Sequence, residues 1–304
     1  MLDPIEPMLA QARAEAFDDD RYLFEIKWDG TRALCYTGNG DKTWRIRNRR
    51  GIWIETRYPE LAELATLPAD TIIDGEIVVL DNGQPSFPKL QQRDGLSDPL
   101  RIELLSQSMP VTFVAFDILA LQGRDLRATP LQQRREQLKT LLQAHEFKHV
   151  LHSEYIIGKG IPYFAQIEKV QWEGVMAKRL NSTYQAGKRS DDWLKIKVSH
   201  MDDFWIMGYS QRDNKEPFVS ALAVGTEENG QWRYFAKVGS GFNEAQRAAL
   251  FEHLGQIPAH NYHLRDVPAE IRWIEPRLRA RIKYLEITQD QRLRSPVFEC
   301  FVND

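Results

Sequence analysis

Apolar and polar residues alternate with a period of two from Tyr22 to about Thr37, with a break at Trp28-Asp29-Gly30, which predicts strand, turn, strand. A second alternation from Thr43 to Arg49 sets Trp44, Ile46 and Asn48 against Arg45, Arg47 and Arg49, so three arginines fall on one face of a strand. The β-rich run from Thr71 to Leu80 is interrupted by Asp74-Gly75, and the interruption predicts a bulge that aims Glu76. Val111 to Leu119 reads as a further strand. Helical spacing appears over Pro59 to Leu67, from Pro130 to about Ala144, and over Ile161 to Trp172, the second of these opened by its proline. Strands resume at Gly174 to Leu180 and at Trp193 to Val198.

From Met201 onward the character changes to short strands, Phe204 to Tyr209, Ser220 to Val224 and Gln231 to Val238, interrupted by a helix from about Asn243 to Leu254. The pattern predicts an α+β domain over residues 1–199 joined to a small β-barrel over residues 200–304. No internal repeat or low-complexity segment is visible. A chain of 304 residues with 42% hydrophobic content has the size for two such cores.

Net charge is only −3, yet basic residues gather at Arg45 to Arg50 and again at Arg277 to Lys283, so the average does not exclude a nucleic-acid partner. In the second cluster Arg277, Arg279, Arg281 and Lys283 alternate with apolar residues, which predicts four cations on one strand face, suited to a nucleic-acid backbone or else a solvated outer face. The two cysteines, Cys35 and Cys300, make neither a zinc site nor a disulfide framework, and their apolar neighbours predict two core thiols in a reducing, intracellular setting. No secretory run opens the chain and no stretch approaches the ~18 apolar residues of a membrane span, so no membrane role is expected.

The candidate chemistry centres on Glu25-Ile26-Lys27-Trp28-Asp29-Gly30-Thr31-Arg32. A lysine amine attacks only when neutral, which asks for partial burial and a neighbouring cation, here Arg32; Asp29 is placed to orient the amine or take its proton, and Gly30 to turn the backbone. The plainer alternative is a strand-to-turn junction with a solvated Lys/Asp pair. Lys195 and Lys197 alternate with Ile196 and share a strand face, which suits either a phosphate or a charged sheet edge. Phe116 reads first as core. Glu25, two residues before Lys27 on the same face, accepts from an adenine 6-amino group but repels a guanine O6, unless it merely pairs with a lysine or arginine.

Taken in order, Lys27-Trp28-Asp29-Gly30-Thr31-Arg32, Asn48-Arg49-Arg50-Gly51, Asp74-Gly75-Glu76, Val114 to Asp117, Glu173 to Lys178, Trp193 to Lys197 and Leu293 to Phe298 resemble the motifs of the covalent nucleotidyltransferases. Within that superfamily the chain is most similar to the ATP-dependent DNA ligases, in particular the ligase module of bacterial end-joining ligases, over nearly its whole length. The resemblance implies a nucleotidyltransferase (adenylation) domain of ATP-grasp-like fold, then an OB-fold barrel. It implies that Lys27 attacks the α-phosphorus of ATP, that AMP passes to a DNA 5′-phosphate, and that the adjacent 3′-hydroxyl then seals the strand. It assigns Glu25, Ile26, Arg32, Arg49, Glu76, Phe116, Lys178, Lys195, Lys197 and Arg294 to the nucleotide, with Phe116 stacked on adenine. Glu76 and Glu173 are implied to hold Mg²⁺, or Mn²⁺ in its place, and Arg47, Arg50, Arg277, Arg279, Arg281 and Lys283 to meet nicked duplex DNA.

A hinge near Val198 to Asp203 and a Ku-like end-binding partner follow from the same resemblance. A monomer is the default, and no separate DNA-binding domain is expected before Tyr22. Ser86 to Arg93 resembles a segment of the same modules and reads as a packing helix; Lys237 to Phe242 resembles a glycine loop that approaches a phosphate or makes a tight turn. One departure stands out: where the last family motif continues to a second arginine, this chain has Glu299-Cys300-Phe301-Val302. RNA ligases and capping guanylyltransferases share the lysine chemistry, and a non-catalytic end-binding protein would keep the fold without needing Lys27, Glu76, Glu173, Lys195 and Lys197.

Overall fold

The computed structural model describes residues 2–38, 43–211, 218–288 and 290–302, which fall into two units, Met1–Val198 and Ser199–Asp304. The first unit contains two sheets. In one the order is Leu9–Ala12, Arg189–Lys197, Gly174–Arg179, Asp19–Ile26 and Tyr155–Gly158, antiparallel except for the parallel outer pair of Leu9–Ala12 with Arg189–Lys197. In the other it is Trp44–Asn48, Thr31–Thr37, Ile72–Asp81, Val111–Leu121 and Arg124–Asp125, with Gln84–Pro85 on Ile72–Asp81 and Val150–His152 parallel to Val111–Leu121.

Because Asp19–Ile26 belongs to the first sheet and Thr31–Thr37 to the second, the turn that begins at Lys27 is where the chain crosses between them. That crossing opens a cleft. Val111–Leu121 is buried at ten successive positions, since Phe113 on one face joins a cluster with Ile77 and Leu138 and Phe116 on the other joins one with Tyr184 and Trp193. A strand covered on both faces needs a continuous apolar run, which the sequence supplies. The expected bulge occurs: the register of Ile72–Asp81 against Val111–Leu121 shifts between Asp74 and Gly75.

The predicted helix from Pro130 is found at Leu131–Gln143, and its buried stripe is Leu131, Arg134, Arg135, Leu138, Leu141 and Leu142. Pro59–Thr66 winds as a 3-10 helix, and Gly160–Lys169 is the helix expected over Ile161 to Trp172. The helix Pro99–Ser108 and the strands Leu9–Ala12, Val150–His152 and Tyr155–Gly158 were not predicted; short elements set by their neighbours carry little periodicity of their own.

In the second unit the sheet order is Gln231–Val238, Ala221–Glu228, His200–Ser210, Arg279–Tyr284 and Val297–Val302, with Arg272–Trp273 on His200–Ser210. The helix Glu244–Gly255 starts from a capping box in which Asn243 and Gln246 each accept from the other's backbone N–H. The glycine loop packs onto the last strand. Gly241 has φ +93°, and a Cβ there would lie 2.1 Å from the Phe298 carbonyl oxygen, while Phe242 stacks on Phe298 with centroids 4.3 Å apart.

Two expectations are corrected. Cys35 is buried but Cys300 is exposed, because it lies on the outer side of the terminal strand. Arg277 precedes the strand and donates to its near neighbour Glu275, so the strand face carries Arg279, Arg281 and Lys283 rather than four cations. Among the described residues no helix is long and apolar enough to cross a membrane.

Candidate active site

A cleft of about 910 Å³ in the first unit is lined by Glu25, Ile26, Lys27, Arg32, Arg49, Arg50, Glu76, Phe116, Lys178 and Lys195, all of them singled out from the sequence. Its size suits a nucleotide. Lys27 is held at both ends: its backbone N–H donates to the Gly174 carbonyl at 2.9 Å, and its Nζ donates to Glu173 Oε2 at 2.5 Å. The other Glu173 oxygen lies 2.8 Å from Lys197 Nζ. Burial works against ionisation of Glu173, but the attraction of Lys27 and Lys197 outweighs it and holds the carboxyl below its ordinary range.

The cation expected beside Lys27 is engaged elsewhere. Arg32 donates to both oxygens of Asp74 at 2.5 Å, and the Tyr184 hydroxyl donates to the same carboxylate at 2.7 Å. Asp74 is fully buried and anchors an arginine of the cleft. Positive charge reaches Lys27 instead from its sheet neighbours. Burial, then the charges of Lys197, Lys27, Arg189 and Arg49, lowers the pKa of Lys195, as expected where cations crowd one another. Gly30 is needed for close approach rather than for a left-handed turn: a Cβ there would lie 2.2 Å from the Ile77 carbonyl oxygen.

Across the cleft, Glu25 is 1% exposed and pairs with Lys178 through Oε1 and with Arg135 through Oε2, the latter at 3.1 Å. The pairing weighed for Glu25 is therefore present, with two cations. Lys178 Nζ also lies 4.0 Å from the Phe116 ring centre and 4.1 Å from that of Trp193. Burial lowers the Lys178 pKa despite Glu25. Phe116 is 6% exposed, in edge contact with Trp193 at 6.4 Å and with the Arg32 guanidinium 4.6 Å from its centre.

The segment expected as a packing helix is the helix Phe87–Asp94, and it also lines the cleft through Phe87, Gln91 and Asp94. Asp94 accepts from Thr31 Oγ1 at 2.9 Å and from the Tyr58 hydroxyl at 2.5 Å, which ties this wall to the turn that follows Lys27. Not every arginine of the basic strand faces the cleft. Arg45 pairs with Glu55 at 3.0 Å and stacks on Trp53, and Arg47 donates to the Gly51 and Ile5 carbonyls, so Arg49 and Arg50 are the exposed pair at the cleft. In the second unit Arg281 pairs with Asp203 across the sheet, Arg279 lies over Trp205, and Arg294 donates to Glu286 at 2.7 Å.

Among the described residues no group of three or more His, Cys, Asp or Glu is gathered as a metal site. Glu76 and Glu173 do sense each other's charge, and two hard carboxylates near Lys27 fit a cation such as Mg²⁺ that shares its shell with water and substrate oxygens. Burial, reinforced by Glu173 and Asp74 and opposed by Arg32 and Lys27, pushes the Glu76 carboxyl from 4.5 up to about 8. Between those values the folded chain keeps a proton that the unfolded chain has released, so stability falls as pH rises through this window. Thermal midpoints taken from pH 5 to pH 8 without metal are expected to decline less in Glu76→Gln than in the unaltered protein.

Arg135, Asp94 and Tyr184 were missed from the sequence. For Arg135 a signal existed: positions 131, 134, 135, 138, 141 and 142 keep the spacing of a helix core stripe, and two of them are arginines.

Residues 7–197 match the ATP dependent DNA ligase domain, and residues 215–304 the ATP dependent DNA ligase C terminal region. The multifunctional non-homologous end joining protein LigD of Mycobacterium bovis is 34% identical over 303 residues, which cover 96% of this chain but 38% of that protein. The crystal structure of the ligase domain from M. tuberculosis LigD superposes with a TM-score of 0.58 at 32% identity, covering 98% of this chain and 95% of that one. A mycobacterial DNA ligase D complexed with ATP and MES matches with a TM-score of 0.57 at 32% identity, covering 99% and 95%.

Proposed function

Because the chain belongs to the ATP-dependent DNA ligase family, we propose that it seals 3′-hydroxyl/5′-phosphate nicks in duplex DNA through AMP carried on Lys27. The observation that carries this reading is the Lys27 amine, paired with Glu173, at the floor of a nucleotide-sized cleft rich in lysine and arginine. In the first step Nζ, freed of its proton, forms a bond to the α-phosphorus of ATP as the bond to pyrophosphate breaks. Lys195 and Arg49 offset charge on the phosphate oxygens, Phe116 stacks on the base, and Glu25 accepts from the adenine amine. A Mg²⁺ held by Glu76 and Glu173 would neutralise phosphate charge and loosen the hold of Glu173 on the Lys27 ammonium.

In the second step the oxygen of a DNA 5′-phosphate displaces the lysine nitrogen and takes up AMP. In the third the 3′-hydroxyl attacks that 5′-phosphate, loses its proton and expels AMP. Arg50 on the first unit and Arg279, Arg281 and Lys283 on the second are proposed to meet the DNA backbone, which makes sealing salt-sensitive. We read the second unit as an OB-fold barrel that swings about Val198 to Asp203 and brings Arg294 to the leaving phosphates. The chain spans 38% of the length of the LigD it matches, so end joining and a Ku-like partner are part of this proposal.

The test is incubation with Mg²⁺ and α-labelled ATP or GTP, followed by a search for label on the protein and on nicked DNA or RNA. Label from ATP that reappears on nicked DNA is expected. Label from GTP alone points to a capping-type enzyme, transfer only to RNA to an RNA ligase, and no label to an end-binding protein.

A further inference from the structure

The helix Leu131–Gln143 turns two adjacent arginines into the interior, and they serve different partners. Arg134 holds Asp117 with two bonds of 2.8 Å and donates to the Thr129 and Ser182 carbonyls at 2.5 and 3.1 Å, all away from the cleft lining. Arg135 reaches the other way. One of its terminal nitrogens, Nη1, donates to the Phe116 carbonyl and lies 3.1 Å from Glu25 Oε2, while Nη2 donates to the Ser153 carbonyl. Its guanidinium lies 4.8 Å from the ring centre of Tyr155, the residue paired with Glu25 on the neighbouring strand.

A single planar fork thus fixes the cleft's buried carboxylate and the backbone beneath its aromatic ring. Glu25 Oε2 is closed off from solvent with Arg135 within ion-pair distance of it, so the carboxylate is held in place at the edge of the cleft. Lys178 secures the opposite oxygen. We propose that Arg135 is the positioning residue for base selection: it sets Glu25 and Phe116 at one fixed spacing, so that an adenine amine meets the negative charge of Glu25 and a guanine O6 is refused. This rests on the reading of ATP as the nucleotide. Lysine cannot replace it, because an ammonium has no planar fork to span Glu25, Phe116 and Ser153 together.

The test measures self-adenylylation and self-guanylylation of the full chain against nucleotide concentration. Arg135→Lys is expected to raise the KM for ATP about tenfold, leave kcat within about twofold, and narrow the ATP-to-GTP ratio of kcat/KM by about tenfold. Arg134→Lys, which disturbs an equally buried arginine, is expected to lower the thermal midpoint without moving that ratio. If Arg135→Lys does not fold, Tyr155→Leu removes the ring beside the guanidinium and is expected to narrow the ratio in the same direction. A folded Arg135→Lys with unaltered KM and ratio overturns the proposal, as does an equal shift in Arg134→Lys or, where it must stand in, an unmoved ratio in Tyr155→Leu. An unaltered protein that takes no label from ATP overturns the ligase reading instead.

Discussion

On the proposed mechanism Lys27→Ala is expected to take no label from ATP, a loss on the order of 10⁴-fold or more, since it removes the amine proposed to carry the covalent AMP. Lys27→Arg makes the stricter comparison. A guanidinium keeps the ion pair with Glu173 but does not give up its proton near neutral pH, so the fold and the charge survive while the nucleophile is lost. Both variants are expected to seal a nick that already carries AMP on its 5′-phosphate, because that last step uses the 3′-hydroxyl and not the lysine. Gel-resolved joining of pre-adenylylated and ordinary nicked duplexes checks this. Retained label in Lys27→Ala would place the covalent site elsewhere.

Asp74→Ala is expected to have the largest effect on stability. Asp74 is fully buried and accepts three bonds, two from Arg32 and one from Tyr184, so its removal leaves a largely buried guanidinium and a phenol without their acceptor. Breaking such a pair from one side costs about 3–5 kcal/mol. Tyr184→Phe removes one neutral donor and is expected to cost only about 1 kcal/mol. Urea unfolding of the three proteins gives the ranking, and a loss in Asp74→Ala no greater than in Tyr184→Phe would show that Arg32 finds water or another partner. Because Arg32 also lies over Phe116, labelling by ATP should fall in Asp74→Ala well below the fraction that remains folded.

Much of the cleft was legible in the chain because its chemistry sits in short local motifs. Lys27, Glu76, Phe116 and Lys195 each lie in a strand or at its end, where period-two alternation states the face before the fold is known. Partners were not legible. Arg32 was expected to act on Lys27, yet it is drawn to Asp74 on the adjacent strand, where the register sets Arg32 beside Glu76 and Leu34 beside Asp74. Arg45 and Arg47 have the look of a phosphate-binding face, but Glu55, Trp53 and two backbone carbonyls already hold them. A charge in a sequence does not state which opposite charge it will meet.

The sequence by itself determined the family, most of the longer elements, the bulge at Asp74-Gly75 and the lysine proposed as nucleophile. These follow from local periodicity and from motifs in which the reacting group and its neighbours are consecutive. Only the tertiary structure decided that Glu173 and not a cation is the direct partner of Lys27, across 146 positions of chain. The same holds for the buried arginine of a distant helix that fixes Glu25, and for Asp94, which ties the far wall to the turn after Lys27. Each of these contacts joins elements far apart in the chain, and only packing them around a common core brings the charges within hydrogen-bond reach.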